Sequence, residues 1–200
     1  MDDKQIKNIK DPIELFGQWL DEAKQSSGME YPNAMSVATL NNEGEVYSRI
    51  VLLKDLRPEG FVFYTNYNSK KGEQIAKHPI ASANFYWDSL QKQVKVTGTV
   101  EKVSREDSEN YWNSRPRESQ ISQYISQQSQ TVESKEILLK EHEEAKTQFK
   151  GMPIPCPEHW GGYLIKPKSI EFWIGQPARF HDRFEFRLVN SHWQCRRLYP

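Results

Sequence analysis

Apolar residues first recur at helical spacing, at Ile13, Phe16, Leu20 and Ala23, one stripe of an amphipathic helix. Asp11, Pro12 and Glu14 supply the capping residue, the first-turn proline and the N3 acid of a helix start. From Ala34 the period shortens. Met35 to Leu40, Val46 to Lys54 and Phe61 to Thr65 read as strands, divided by turn signals at Asn41-Asn42-Glu43-Gly44 and Pro58-Glu59-Gly60. An antiparallel meander is expected. A short helix over Ser69 to His78 follows, then strands over Ile80 to Trp87 and Gln93 to Val103, the latter with Val94 and Val96 at strand period beside Gly98.

Ser104 can cap a helix that carries Tyr111 and Trp112 and stops at Arg115-Pro116-Arg117, because a residue before proline avoids the α region. A second helical stretch covers Ser134 to Phe149. Gly151 to Pro157 is too proline-rich for helix or sheet and reads as an extended connector. Strands return at Gly162 to Ile165, Ser169 to Ile174, Arg183 to Val189 and Trp193 to Leu198, the last two joined at Asn190-Ser191. Short, closely spaced strands with inserted helices predict a mainly β, α+β architecture: an antiparallel barrel or sandwich with peripheral helices. One domain over residues 1–200 is expected, with residues 1–10 as a flexible N-terminal segment. No internal repeat is present.

The composition narrows the function. Of 200 residues, Lys and Arg number 27 and Asp and Glu 27, so no global basic field draws the chain to nucleic acid or anionic membranes, and any anion site must be local. Aromatic residues at 12% exclude a disordered chain. Cys156 and Cys195 form neither a disulfide framework nor a metal cluster, so reduced thiols and no metal are expected. A charged N-terminus and the lack of any apolar run of about 20 residues point to a cytoplasmic protein without a membrane span.

Four basic clusters punctuate the β-rich frame: Arg49 with Lys54, Lys70-Lys71, Arg115 with Arg117, and Arg179 with His181 and Arg183. Taken singly, each is an ordinary surface charge. Arg49 and Lys54 bracket the apolar run Ile50-Val51-Leu52-Leu53, and a period of two puts them on opposite faces unless the strand bends or ends between them. Ser69-Lys70-Lys71 lies where a strand yields to a helix, so hydroxyl, ammonium and backbone N–H groups can converge there on a phosphate. Arg115 to Ser119 places two guanidinium groups and a hydroxyl in a stiff turn, a second anion clamp. Trp173 with Arg179, His181 and Arg183 adds a flat ring, cations and an imidazole. Dinucleotide and Walker glycine loops are absent, as are a Ser/His/Asp order, a catalytic Cys/His pair and H-E-x-x-H, so a phosphorylated cofactor and substrate held by side chains is the better expectation.

Ten ordered motifs carry a family resemblance: Arg49 to Lys54, Phe63 to Asn66, Ser69 to Lys71, Tyr111, Ser114 to Gln120, Gln128-Ser129, Trp160 to Gly162, Ile170 to Trp173, Arg179 to Arg183 and Arg197 to Pro200. From about Asp11 to the end, the chain resembles the pyridoxamine 5'-phosphate oxidase family. The resemblance implies an FMN-binding split β-barrel, a homodimer with FMN between subunits, and oxidation of pyridoxine or pyridoxamine 5'-phosphate to pyridoxal 5'-phosphate, with O2 as acceptor and H2O2 released. It implies FMN contacts at Arg49, Ile50, Val51, Leu52, Leu53, Lys54, Tyr64, Thr65, Lys70, Lys71, Gln93, Gln128, Ser129, Trp173 and Arg183. It implies substrate contacts at Lys54, Tyr111, Arg115 and Ser119, which grip the phosphate, and at Arg179 and His181, which set the reacting carbon against the flavin as catalytic residues. The chain departs from the family at Lys70, where arginine is common, at Tyr199, where a small residue is usual, and in having about ten residues before the first helix where a longer arm is frequent.

Three other readings compete. A different flavin enzyme on the same barrel would share the cofactor contacts. A non-catalytic FMN- or pyridoxal-phosphate-binding protein would keep the phosphate clamp without needing Arg179 and His181. A nucleic-acid-binding barrel is disfavoured by the zero net charge.

Overall fold

The computed structural model describes Ile6 and residues 9–200. Helix α1 spans Pro12–Ser26, and the Asp11 carboxylate caps it by accepting from the Ile13 N–H at 2.8 Å. Strands β1 (Ala34–Leu40) and β2 (Val46–Leu52) form the first hairpin, and β3 (Asp55–Arg57) and β4 (Gly60–Asn66) the second. Helix α2 (Lys70–Lys77) leads to β5 (Ile80–Trp87) and β6 (Lys92–Lys102). Three helices follow, α3 (Arg105–Ser114), α4 (Arg117–Ile125) and α5 (Lys135–Gln148), before β7 (Trp160–Ile174), β8 (Asp182–Val189) and β9 (His192–Leu198).

The nine strands join one sheet with the path β2-β1-β5-β6-β7-β4-β3, β8 pairing with β7 and β9 with β8. Neighbouring strands are antiparallel throughout. The sheet curls. Phe16 of α1 packs at 4.8 Å on Phe61 of β4 and at 4.7 Å on Phe85 of β5, strands three places apart along the path, and those two rings lie 6.2 Å from each other. The apolar stripe of α1 thus fills the hollow of a half-barrel, burying Ile13, Phe16, Trp19, Leu20 and Ala23. A second, smaller core under α3, α4 and α5 gathers Trp112, Ile121, Ala145, Phe149, Ile154 and Trp160.

The mainly β, barrel-like expectation holds, but the expected meander does not: β2 lies at one end of the path, and β4 pairs with β7 and β3 rather than with β2. Three local corrections follow. The strand read as Val46 to Lys54 ends at Leu52, and Asp55–Arg57 forms a separate short strand, so Lys54 sits at a corner and the chain does bend between Arg49 and Lys54. The two strands read over Gly162 to Ile165 and Ser169 to Ile174 are one strand, because a bulge between Thr97 and Gly98 of β6 accommodates Pro167 in its interior. Its first half pairs with β4 and its second half with β8. The helix stops at Arg115-Pro116 as expected, both residues being extended, but Arg117 then opens a further helix, α4, which the sequence reading does not include. The expected flexible segment 1–10 falls largely outside the described residues, and its described apolar members, Ile6 and Ile9, pack against the main core. Among the described residues no helix is long and apolar enough to cross a membrane, and Cys156 and Cys195 form no disulfide.

Candidate active site

Two cations meet where β1, β2, β4 and α2 converge. Arg49 lies opposite Val37 in the β1–β2 ladder and donates to the Val37 carbonyl at 3.1 Å, to Thr39 Oγ1 at 2.6 Å and to Gln74 Oε1 at 3.2 Å. Ser69 caps α2, its hydroxyl accepting from the Gly72 N–H, which turns Lys71 inward. Lys71 Nζ donates to Gln128 Oε1 at 2.7 Å, Thr65 Oγ1 at 3.0 Å and Ser69 Oγ at 3.2 Å, and the residue is only 8% exposed. All three partners are neutral. Burial, followed by the nearby Arg49 charge, pushes the Lys71 ammonium down to about 8. A buried ammonium without an acid partner is costly, so this pocket is suited to an anion with two negative charges, such as a phosphate monoester. Gln128 and Ser129 reach it from the segment after α4, Ser129 Oγ accepting from the Lys70 N–H at 3.3 Å; both also line a cavity of about 710 Å³ beside α5.

Tyr64, which precedes Thr65 on β4, belongs to an aromatic wall. The Tyr64 and Tyr111 rings stack at 3.9 Å, and the Trp160 indole lies 16° from the plane of Tyr64 and 6° from that of Tyr111. Burial pushes the Tyr64 phenol up to about 12, so it stays a neutral donor. The Arg115 guanidinium lies over the Trp160 ring at 4.9 Å and over Trp112 at 5.7 Å. It pairs with no carboxylate among the described residues, and burial lowers its pKa. Arg117 does not join it. Its guanidinium donates to the Phe149 and Met152 carbonyls and ties α4 to the end of α5, so the expected two-arginine clamp reduces to Arg115.

A third group lies at the opposite end of β7. Gln93, Trp173 and Arg183 are direct neighbours across β6, β7 and β8. Burial acts to raise the pKa of Glu171, but Arg183, at 2.8 Å, and Lys95, at 2.6 Å, hold it below its ordinary value. Arg183 also donates to the Tyr199 carbonyl at 3.0 Å. The His181 ring packs 4.7 Å from Trp173, and its Nδ1 accepts from the Gln176 N–H at 3.1 Å, which leaves the proton of a neutral imidazole on Nε2. Ala178 and Arg179 both have positive φ, 54° and 64°, an uncommon left-handed pair in an exposed turn. Trp160 and Trp173 are 13 residues apart on one strand (173 − 160), roughly 40 Å if it ran straight.

The expected residues therefore fall into two groups. Arg49, Thr65, Lys70, Lys71, Gln128 and Ser129 surround the cation pocket, with Tyr64, Tyr111 and Arg115 in the wall. Gln93, Trp173, Arg179, His181 and Arg183 cluster elsewhere. Of the run between Arg49 and Lys54, Ile50 is exposed, Val51 and Leu52 half-buried and Leu53 buried, while the Lys54 N–H donates to the Val62 carbonyl at 2.8 Å and its side chain is exposed. Ser119 is half-buried on the first turn of α4. The sequence pattern had not marked Thr39, Gln74, Arg105 or Trp160 as part of a site. The available signal was the Trp160 to Gly162 motif with its two glycines: a Cβ on Gly161 would overlap the Tyr67 and Ser108 hydroxyls, and one on Gly162 the Val103 and Tyr64 side chains.

A curled antiparallel sheet that holds buried Lys71, half-buried Arg49 and an aromatic wall defines a split-barrel protein with a pocket suited to an anion. Residues 21–149 match the family model described as pyridoxamine 5'-phosphate oxidase, and residues 160–200 match the one described as the pyridoxine 5'-phosphate oxidase C-terminal dimerisation region. The chain belongs to the pyridoxamine 5'-phosphate oxidase family. It is 45% identical over 191 residues to the pyridoxine/pyridoxamine 5'-phosphate oxidase of Microcystis aeruginosa, covering 95% of this chain and 89% of that one. It is 44% identical to the protein of the same description from Shewanella woodyi, with 95% and 89% covered. Its fold matches PhzG from Burkholderia lata 383, solved with tetrahydrophenazine-1-carboxylic acid, at a TM-score of 0.93 and 24% identity over 100% of this chain and 98% of that one.

Proposed function

We propose that this protein is an FMN-dependent oxidase that converts pyridoxine or pyridoxamine 5'-phosphate to pyridoxal 5'-phosphate in vitamin B6 metabolism. The observation that carries the reading is buried Lys71 beside Arg49 with neutral partners only, which fits a phosphate dianion. Near-full-length relatives described as pyridoxine/pyridoxamine 5'-phosphate oxidases support the substrate class. The chemistry that bound FMN supplies is the removal of two electrons from the substrate carbon as hydride, with O2 as final acceptor and H2O2 as product. Arg49, Lys70, Lys71, Thr65, Gln128 and Ser129 hold its phosphate end, and the backbone from Ile50 to Lys54, with Tyr64, borders it. Lys54, Tyr111, Arg115 and Ser119 grip the substrate phosphate.

Gln93, Trp173 and Arg183, with Arg179 and His181, lie at the far end of β7, so one protomer does not bring both groups onto one ligand. A homodimer does, each site taking its cations from one subunit and its Arg179 and His181 from the other, which agrees with the dimerisation region matched over 160–200. His181 donates from Nε2 and Arg179 supplies a fixed positive charge, and both orient the reacting carbon. Two cysteines that form no disulfide suit a cytoplasmic setting.

The test is direct. Purified protein should be yellow, and adding pyridoxine 5'-phosphate in air should release pyridoxal 5'-phosphate and peroxide in equal amounts. Protein that takes up FMN but turns over neither phosphorylated vitamer would overturn the oxidase reading and leave a flavin-binding protein in its place.

A further inference from the structure

Resting on the reading of Arg115 as part of the substrate-phosphate clamp, we propose that Trp160 is a positioning residue for that clamp and that Arg105 holds Trp160 in place. The Arg115 guanidinium is half-buried, has no acid partner among the described residues, and lies 4.9 Å over the Trp160 ring. A planar cation resting on an indole keeps its five N–H donors free while its orientation is restrained. The same indole runs parallel to Tyr111 and packs edge-on against Trp112 at 4.9 Å. One ring therefore touches two residues of the clamp and a residue between them on the same helix.

The position of Trp160 is itself over-determined from α3. Arg105 donates to the Cys156 carbonyl, to the Pro157 carbonyl at 3.0 Å and to the Trp160 carbonyl at 3.2 Å, while Glu109 accepts from its Nε at 2.8 Å. Ser108 accepts from the Gly162 N–H at 3.2 Å. Arg105, Ser108 and Trp112 follow one another at helical spacing on α3 and anchor the start of β7, and Arg115, the extended residue that caps the end of this helix, follows directly with the clamp guanidinium. The absence of side chains at Gly161 and Gly162 allows this close approach.

The experiment is a pairwise cycle on the FMN-loaded enzyme. Trp160→Leu should raise KM for pyridoxine 5'-phosphate by roughly 5- to 30-fold, with kcat within about twofold of wild type and FMN content unchanged. Trp160→Phe, which keeps a ring face, should recover most of that loss. In an Arg115→Ala background, Trp160→Leu should add less than about twofold, because its effect passes through Arg115. Full additivity, or a kcat loss with unchanged KM, overturns the proposal. Should Trp160→Leu fail to fold, Arg105→Gln carries the same cycle from outside the site, with the same KM-directed effect expected; an unchanged KM there overturns the proposal. The cycle is repeated on the dissociation constant of pyridoxal 5'-phosphate, read from the flavin absorbance. If wild type binds this ester with Trp160–Arg115 coupling but turns over neither vitamer, the oxidase reading fails and the positioning role stands.

Discussion

At the scale of single residues, the pocket is defined by one ammonium kept from water. Lys71 titrates near 8 rather than 10.5 because burial, and then Arg49, disfavour its charged form. The two consequences have opposite signs. Between about pH 8 and 10.5 the unfolded chain binds a proton that the folded, cofactor-free chain does not, so the stability of the FMN-free protein should rise across that window. FMN affinity should instead fall as pH rises through 8, since the charge that meets the phosphate is lost. Lys71→Met should weaken FMN binding by roughly 10- to 100-fold at pH 7 and abolish that pH dependence, as followed by flavin fluorescence titration. Arg115 and Arg179 should differ in kinetics. Arg115→Ala removes a contact made equally in ground and transition states and should mainly raise KM, whereas Arg179→Ala should also depress kcat, with kcat/KM down roughly 10- to 1000-fold. Unchanged constants for Arg179→Ala would remove it from the site.

At the scale of elements, the legible parts are those with local signals. Asp11 and Ser104 cap their helices as the pattern anticipates, and Ser69 and Ser134, read only as the starts of helical stretches, do the same, each side chain accepting from a first-turn N–H. Helix α4 has no such cap. Its N-cap is Pro116, without a side-chain bond, and the helix is held by tertiary contacts: Ile121 in the second core, the Gln120 amide donating to the Trp112 carbonyl, and Arg117 bound to the end of α5. Strand β7 hid its continuity for a related reason. Pro167 marks a break in any single-strand reading, and only its neighbour β6, with Gly98 opposite it in a bulge, removes the need for its missing N–H. A Cβ on Gly98 would overlap the Lys166 carbonyl. Gly98→Ala should therefore cost about 1–3 kcal/mol, read as a lower urea midpoint, while Ser104→Ala, which removes only a cap, should cost about 1 kcal/mol.

At the scale of the whole molecule, β7 separates the two groups of side chains that the proposed site brings onto one ligand. The dimer reading therefore makes a subunit-exchange prediction. Arg49→Ala and Arg179→Ala should each be nearly inactive, yet mixing the two variants and allowing exchange should restore activity to about a quarter of wild type, since half of the dimers are then mixed and each has one intact site of two. No gain on mixing, with exchange verified by labelled subunits, would mean that each site is built within one protomer.

The sequence by itself determined what is local: helix starts from capping residues, strands from alternation, and the presence of lone basic residues in a β-rich frame with no net field. Only the tertiary structure decided which of those residues meet. Lys71 joins Gln128 across 57 positions, and Arg115 lies on Trp160 across 45, separations over which no periodic pattern carries information. Those meetings depend on the curl of the sheet around α1 and on the glycines that let β7 press against α3. Propensity acts within a few residues, whereas the charge left unpaired in a pocket is a property of the closed fold.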